Sequence, residues 1–175
     1  MGSMSHSPSL NEAEILHELG ERTRSLSHEY LTSARHALQQ LVGRPDILAG
    51  RHLERRENGY ARTLLFNDGQ MSVYAIAWSP LCQTTIHDHH CSCCFGMVSG
   101  SLEEIWFRSI GEDQVVVSER ANRTPGYIAC VLPSGPNIHQ MINNSAEEAI
   151  SIHIYGFDHN MHASSILREY KLASL

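Results

Sequence analysis

The period of hydrophobic positions along this chain changes near residue 57. Upstream it is helical. Ile15, Leu16 and Leu19 share one face, and Gly20 is expected to punctuate a first helix. Leu26, Tyr30, Leu31, Ala34, Leu38 and Leu41 then recur at spacings of three and four, which predicts a second amphipathic helix. Gly43, Arg44 and Pro45 would end it, and Asp46 would cap a short helix through Leu53. The plain role for such helices is packing against a neighbouring sheet.

From about Asn58 the pattern becomes strand-like. Tyr60 to Phe66 precedes the turn sequence Asn67-Asp68-Gly69, and Met71 to Trp78 follows it, stopped by Ser79-Pro80. The stretch around His87 and His89, then Phe95–Val98, Leu102–Phe107, Val115–Ser118, Tyr127–Leu132, Ile138–Ile142 and Ala149–Tyr155, continue the series. Many short strands separated by Gly, Pro and Asn turns predict a β-sandwich or barrel. The fold class is therefore mainly β with N-terminal helices. Residues 1–10, rich in serine, are expected to be a disordered tag or N-terminus, and residues 11–175 one domain. Within it, 11–56 would be the helical part and 57–175 the barrel.

Composition narrows the function. At 175 residues the chain suits one core, and its net charge of -6 argues against a nucleic-acid partner. Arg51, Arg55 and Arg56 are the one local concentration of basic residues. No apolar run approaches the ~20 residues of a membrane span, so no membrane partner is expected. Met1-Gly2-Ser3-Met4 has the look of a cloning scar before a native Met4, and with no leader visible the expected compartment is cytoplasmic. Five cysteines, three of them within Cys91-Ser92-Cys93-Cys94, do not form an orderly disulfide framework. With twelve histidines, spacing must select those that matter.

Ile86-His87-Asp88-His89 does select. Residues two apart on a strand face the same way, so both imidazoles can reach one metal while Asp88 points away. Cys93 and Gly100 follow, and the spacing resembles the first cupin motif, with Cys93 where cupins usually carry Glu. Gly126, Pro133, Gly135, His139 and Asn143 resemble the second motif, with one extra residue in two gaps. The resemblance implies a cupin fold, a double-stranded β-helix or jelly-roll barrel, with His139 brought to His87 and His89 as a three-histidine metal site. The plain alternative is three satisfied histidines without a metal. Imidazole suits Fe, Zn, Cu and Ni alike, so ligand type leaves the metal open. A site with no carboxylate leaves a divalent ion its full charge and favours an anionic, chelating substrate.

Cys93 in place of Glu turns the resemblance toward the cysteine dioxygenase family, in particular its bacterial Arg-type members. Ser151-Ile152-His153-Ile154-Tyr155 resembles that family's Ser-His-Tyr relay, and Tyr60-Ala61-Arg62 its Tyr-x-Arg. The likeness spans about Tyr60 to Tyr155. It implies one Fe(II) per chain on His87, His89 and His139, with O2 as co-substrate. Arg62 and Tyr60 would bind the substrate carboxylate, and Ser151, His153 and Tyr155 would act beside the bound oxygen. A Cys93–Tyr155 thioether is implied too, Cys94 being the alternative partner. The implied reaction is oxidation of a small thiol carboxylate to its sulfinate, with L-cysteine first and cysteine catabolism as its setting. The implied assembly is a monomer or weak homo-oligomer.

Other readings stay open. Tyr155 is followed by Gly156-Phe157-Asp158, whereas eukaryotic members continue Ser-Pro-Pro. Tyr-Gly resembles the bacterial mercaptopropionate dioxygenases, which usually carry Gln where this chain has Arg62 and draw an Arg from the C-terminal region. Arg168 is the candidate for that part, and 3-mercaptopropionate and mercaptosuccinate are the alternative substrates. Cys91 and Cys94 leave room for a structural His/Cys zinc site. A non-catalytic, metal-binding cupin sensor is the third class.

Overall fold

A computed structural model describes residues 11–173; the segment 1–10, expected to be disordered, lies outside the described residues. One α-helix, α1 (Glu12–Val42), is followed by a 3-10 turn (Pro45–Leu48). Ten strands come next: β1 (Tyr60–Asn67), β2 (Ser72–Trp78), β3 (Ile86–His89), β4 (Cys93–Ser99), β5 (Leu102–Ser109), β6 (Gln114–Arg123), β7 (Ile128–Val131), β8 (His139–Ile142), β9 (Ala149–Tyr155) and β10 (Ile166–Leu172).

The described chain divides into two units, one ending at Ser33 and one comprising Ala34–Leu175. The first is helical. Asn11 opens it with a reciprocal capping box: Glu14 N–H donates to Asn11 Oδ1 at 3.0 Å and Asn11 N–H to Glu14 Oε2 at 2.8 Å. The expected break at Gly20 does not occur. A helical glycine costs only ~1 kcal/mol relative to alanine; the Glu18–Arg22 ion pair spans the position and Glu21–Arg24 follows it. The short helix expected through Leu53 is only the 3-10 turn, after which residues 49–59 form neither helix nor strand, with turns at 49–50 and 57–58.

The second unit holds two sheets. The first has the order β1-β2-β9-β4-β7 and the second, closed, the order β10-β3-β8-β5-β6. β10 was not expected from its pattern. Most of its side chains are exposed, and its place comes from pairing antiparallel to β3 and parallel to β6. The Ser151, His153 and Tyr155 face of β9 could have been a solvated one. Instead β9 lies between β2 and β4 and is buried on both faces. Two glycines of β4 and its turn answer to close packing. A Cβ on Gly96 would lie 2.6 Å from Val42 Cγ1, so the last turns of α1 lie directly on this strand. Gly100, at φ +68°, turns the chain into β5, where a Cβ would meet Ala149 Cα at 2.7 Å. Among the described residues no helix is long and apolar enough to cross a membrane.

Candidate metal centre

The two sheets face each other across a cavity of about 480 Å³, within the usual range for small-molecule sites. One wall carries Tyr60, Arg62, Trp78, Cys93, His153 and Tyr155; the other carries His87, His89, His139 and Met141. His87 and His89 are two apart on β3, and register then does what spacing alone cannot. His87 and His139 are direct partners across β3 and β8. The three rings are buried, and one nitrogen from each lies within 4.8 Å of the others.

Their remaining nitrogens are all engaged. His87 Nδ1–H donates to the Thr85 carbonyl at 2.9 Å, and His89 Nδ1 is 3.1 Å from Ser165 Oγ. His139 Nδ1–H donates to Glu104 Oε1 at 2.9 Å. A neutral imidazole with its proton on Nδ1 presents a lone pair on Nε2. With the proton on Nδ1 of both rings, His89 Nε2 and His139 Nε2, 3.1 Å apart, would present lone pair to lone pair, an arrangement a shared cation resolves. Burial, reinforced by the neighbouring His139, lowers His87 to about 4 and lowers His89 further. At neutral pH both rings are uncharged, as ligands must be. The residues present thus fit a divalent metal held by three histidines.

Glu104 is the main residue missed in the sequence. It is 1% exposed on β5, with its second oxygen taken by Arg123 Nε at 2.8 Å. Burial pushes its carboxyl up, but the hydrogen bonds and charges of His139 and Arg123 outweigh this and hold it below the ordinary value. Arg123 in turn lies over the Tyr127 ring, 4.3 Å from its centroid. Glu103-Glu104 reads as an exposed acidic pair on a strand edge, and alternation alone does not say which side is covered.

On the opposite wall the hydrogen bonds form a line. Trp78 Nε1–H donates to Ser151 Oγ at 2.9 Å, Ser151 Oγ lies 2.8 Å from His153 Nε2, and His153 Nδ1 lies 3.2 Å from Tyr155 Oη. Burial lowers His153 to about 3, so the ring is neutral, with one donor and one acceptor nitrogen. Both hydroxyl groups must then orient in the same sense along the line. Burial raises the Tyr155 phenol well above its ordinary value, and Ser165 hydrogen-bonds it from the metal side. Trp78 and Ser165 were not expected as participants.

Of the two candidate thiols, Cys93 faces Tyr155. They are direct partners across β4 and β9, and a hydrogen bond joins thiol and phenol. Burial raises the Cys93 thiol. Cys94 points to the other side of the sheet, where its partner is Cys130 on β7. Cys91 and Cys94 are outside the ligand group, which among the described residues contains no thiol.

Arg62 lines the cavity with its Nη2 donating to the Ala163 carbonyl at 2.8 Å and its guanidinium over the Tyr74 ring, 5.4 Å from the centroid. Tyr60 lies beside it against Trp78, with 4.9 Å between ring centroids. Arg56 also lines the cavity and was not singled out. Arg168 does not line it; on exposed β10 its guanidinium donates to the Glu112 carbonyl at 3.1 Å. Asn143 of the second motif is fully buried, and its Nδ2 donates to the carbonyls of Trp78, Ser79 and Glu147, tying the turn ahead of β9 to the end of β2.

Comparison with known proteins places this geometry. The family model described as "Cysteine dioxygenase type I" matches residues 51–162. An uncharacterized conserved protein with a double-stranded β-helix domain from Klebsiella pneumoniae superposes with a TM-score of 0.50 at 17% identity, covering 67% of this chain and 91% of that one. A cupin superfamily protein from Desulfitobacterium hafniense gives a TM-score of 0.47 at 13% identity, over 61% and 84% of the two chains. A cupin-superfamily sugar phosphate isomerase from Silicibacter pomeroyi gives 0.46 at 16% identity; the match covers 56% of this chain and only 59% of that protein. At such identities the likeness speaks for the fold alone. The Klebsiella match carries it, and that fold is a double-stranded β-helix.

Proposed function

Because the chain belongs to the cysteine dioxygenase type I family, we propose that it is a non-haem Fe(II) thiol dioxygenase. It adds both atoms of O2 to the sulfur of a small thiol carboxylate, L-cysteine first, and releases the sulfinate. The balance is RSH + O2 → RSO2H, with no external reductant. The observation that carries this reading is one cavity holding three convergent histidines, a ligand group that among the described residues contains no carboxylate, and a guanidinium on the facing wall.

His87, His89 and His139 would hold the iron. Bound there, Fe(II) supplies open coordination positions and the redox chemistry that dioxygen requires. Arg62 pairs with the substrate carboxylate through its planar fork, with one Nη already fixed on Ala163 so that the rest is pre-oriented. Tyr60 adds a donor on the same wall. The Tyr155 hydroxyl, backed by His153, Ser151 and Trp78, directs a hydrogen bond to where charge develops on oxygen. The walls of Trp78, Met141 and Tyr155 limit water at the sulfur. Cys93 beside Tyr155 is the partner for a thioether, which would fix the phenol.

The test is oxygen uptake by iron-loaded protein across L-cysteine, 3-mercaptopropionate, mercaptosuccinate and cysteamine, scored by sulfinate formation. Uptake with sulfinate from at least one thiol carboxylate is expected, with L-cysteine best. No uptake with any of them would overturn the reading.

A further inference from the structure

Four cysteines of this chain, Cys82, Cys91, Cys94 and Cys130, have no part in the metal centre just described, and two of them meet. Cys94 on β4 and Cys130 on β7 are direct partners across an antiparallel pair. The type of pair follows from the hydrogen bonds. Met97 N–H donates to the Tyr127 carbonyl at 3.0 Å and the Met97 carbonyl accepts from Gly126 N–H at 2.9 Å, so position 97 sits at a hydrogen-bonded step of the ladder, closed by a bulge at Gly126. Such pairs alternate along a ladder, so Phe95/Ala129 and Cys93/Val131 are of the same type and Cys94/Cys130 is of the narrow, non-hydrogen-bonded type. There the Cα atoms stand about 4.5 Å apart and side chains approach most closely. A disulfide spans Cα separations of about 4.4–6.8 Å. The two strands already hold these thiols at a separation a disulfide accepts.

We propose that Cys94 and Cys130 form a thiol–disulfide exchange site on the sheet face turned away from the metal centre, oxidised to an intrachain disulfide by a small-molecule disulfide such as cystine or oxidised glutathione. The two sulfurs are unequal in the way exchange requires. Cys130 is half-buried and reachable, whereas Cys94 is fully buried. Arg35, whose Nη1 donates to the Ile128 carbonyl at 3.3 Å, holds a positive charge next to Cys130. The Cys94 thiol donates a hydrogen bond to Cys130, and together with Arg35 this favours the Cys130 thiolate. Val42 and Leu38 of α1 pack on Gly96, two residues along the strand from Cys94 and on the same face.

The Cys130 thiolate attacks one sulfur of the small disulfide and releases one thiolate, leaving a mixed disulfide on Cys130. Cys94 gives up its proton, attacks the Cys130 sulfur and releases the second thiolate. In sum, two protein thiols and one small disulfide become one protein disulfide and two small thiols, the two electrons passing from protein to reagent. The site stands independently of the activity proposed for the metal centre. If that activity is cysteine oxidation, cystine is the oxidised form of the same substrate, and the chain would meet both forms of one redox couple.

The experiment treats the full-length, metal-loaded protein with cystine or with oxidised glutathione under nitrogen, traps free thiols by alkylation and maps peptides. Wild-type protein should lose two titratable thiols, recover them on reduction, and yield a cross-linked peptide joining Cys94 and Cys130. Cys94→Ser should stop at a mixed disulfide on Cys130, losing one thiol, and Cys130→Ser should lose none. Reaction with cystine alone marks an entry sized for an amino-acid disulfide; reaction with both marks an open one; either supports the site. Failure of the wild-type protein to react with either disulfide, or consumption of Cys82, Cys91 or Cys93 in place of the pair, overturns it. The wild-type map decides the question even if a serine variant does not fold.

Discussion

Replacing Glu104 with glutamine tests how the metal centre is held. The side chain keeps its shape, but the two carboxylate oxygens each receive a donor, His139 Nδ1–H at 2.9 Å and Arg123 Nε–H at 2.8 Å. An amide offers one acceptor and one donor, so one of the two N–H groups must face an NH2. At a site 1% exposed no water can take over. Leaving such a buried donor unsatisfied costs about 1–3 kcal/mol. For a chain of this size, about 2 kcal/mol lowers the melting temperature by roughly 4–8 °C. The metal feels the change as well. Without the carboxylate, His139 is no longer held with its proton on Nδ1 and its lone pair on Nε2, and loss of such an outer partner weakens metal binding by about 10- to 100-fold. Titration of metal-free protein with Co(II) against a competing chelator reads the affinity, and thermal melting of the metal-free form reads the stability. If Glu104→Gln binds metal within about twofold of wild type and melts at the same temperature, the carboxylate does not orient His139 and the reasoning fails.

Arg62→Gln should raise KM for L-cysteine by about 10- to 100-fold, the worth of a charge-assisted hydrogen bond of ~1.5–3 kcal/mol, while turnover of cysteamine, which has no carboxylate, should hardly change. An equal loss with both thiols would remove Arg62 from carboxylate binding. Acid stability should depend on His153. Its pKa falls from an unfolded 6.5 to about 3 on burial, so below 6.5 the unfolded chain binds a proton that the folded one refuses. Stability from this group is complete above that value and is lost as pH falls toward 3, at up to about 1.4 kcal/mol per pH unit. Urea unfolding of the metal-free protein between about pH 6 and pH 5 should show a slope shallower by that amount in His153→Asn; identical slopes would contradict the burial argument. Iron-loaded protein that has turned over with L-cysteine should carry a Cys93–Tyr155 link, seen as an intact mass two hydrogens lower. Cys93→Ser should abolish it and Cys94→Ser should not, and the opposite pattern would reject the register of β4 on β9.

Much of this site was legible because side-chain direction along a strand is a local property. A period of two puts His87 and His89 on one face and Ser151, His153 and Tyr155 on another. What alternation cannot say is which face is covered. Residues 151–155 suited a solvated edge equally well, and only the placement of β9 between β2 and β4 buries them. The helix running on through Gly20 has the same origin. A glycine is a weak local penalty, and the ion pairs beside it offset part of it.

The sequence by itself determined the strand-rich architecture and the HxH pair, because periodicity is written along one chain; the distant partner His139 and the Arg and Tyr residues of the cavity were legible through their resemblance to family motifs. Tertiary structure decided the rest. It chose Cys93 over Cys94, since β4 pairs with β9 so that Cys93 meets Tyr155 and Cys94 meets Cys130. It took Arg168 out of the cavity, brought Arg56 to it, and set Glu104 behind His139 and Ser165 between His89 and Tyr155. These are contacts between residues dozens of positions apart. Their geometry depends on strand register and on how two sheets close over one another, which no local pattern encodes.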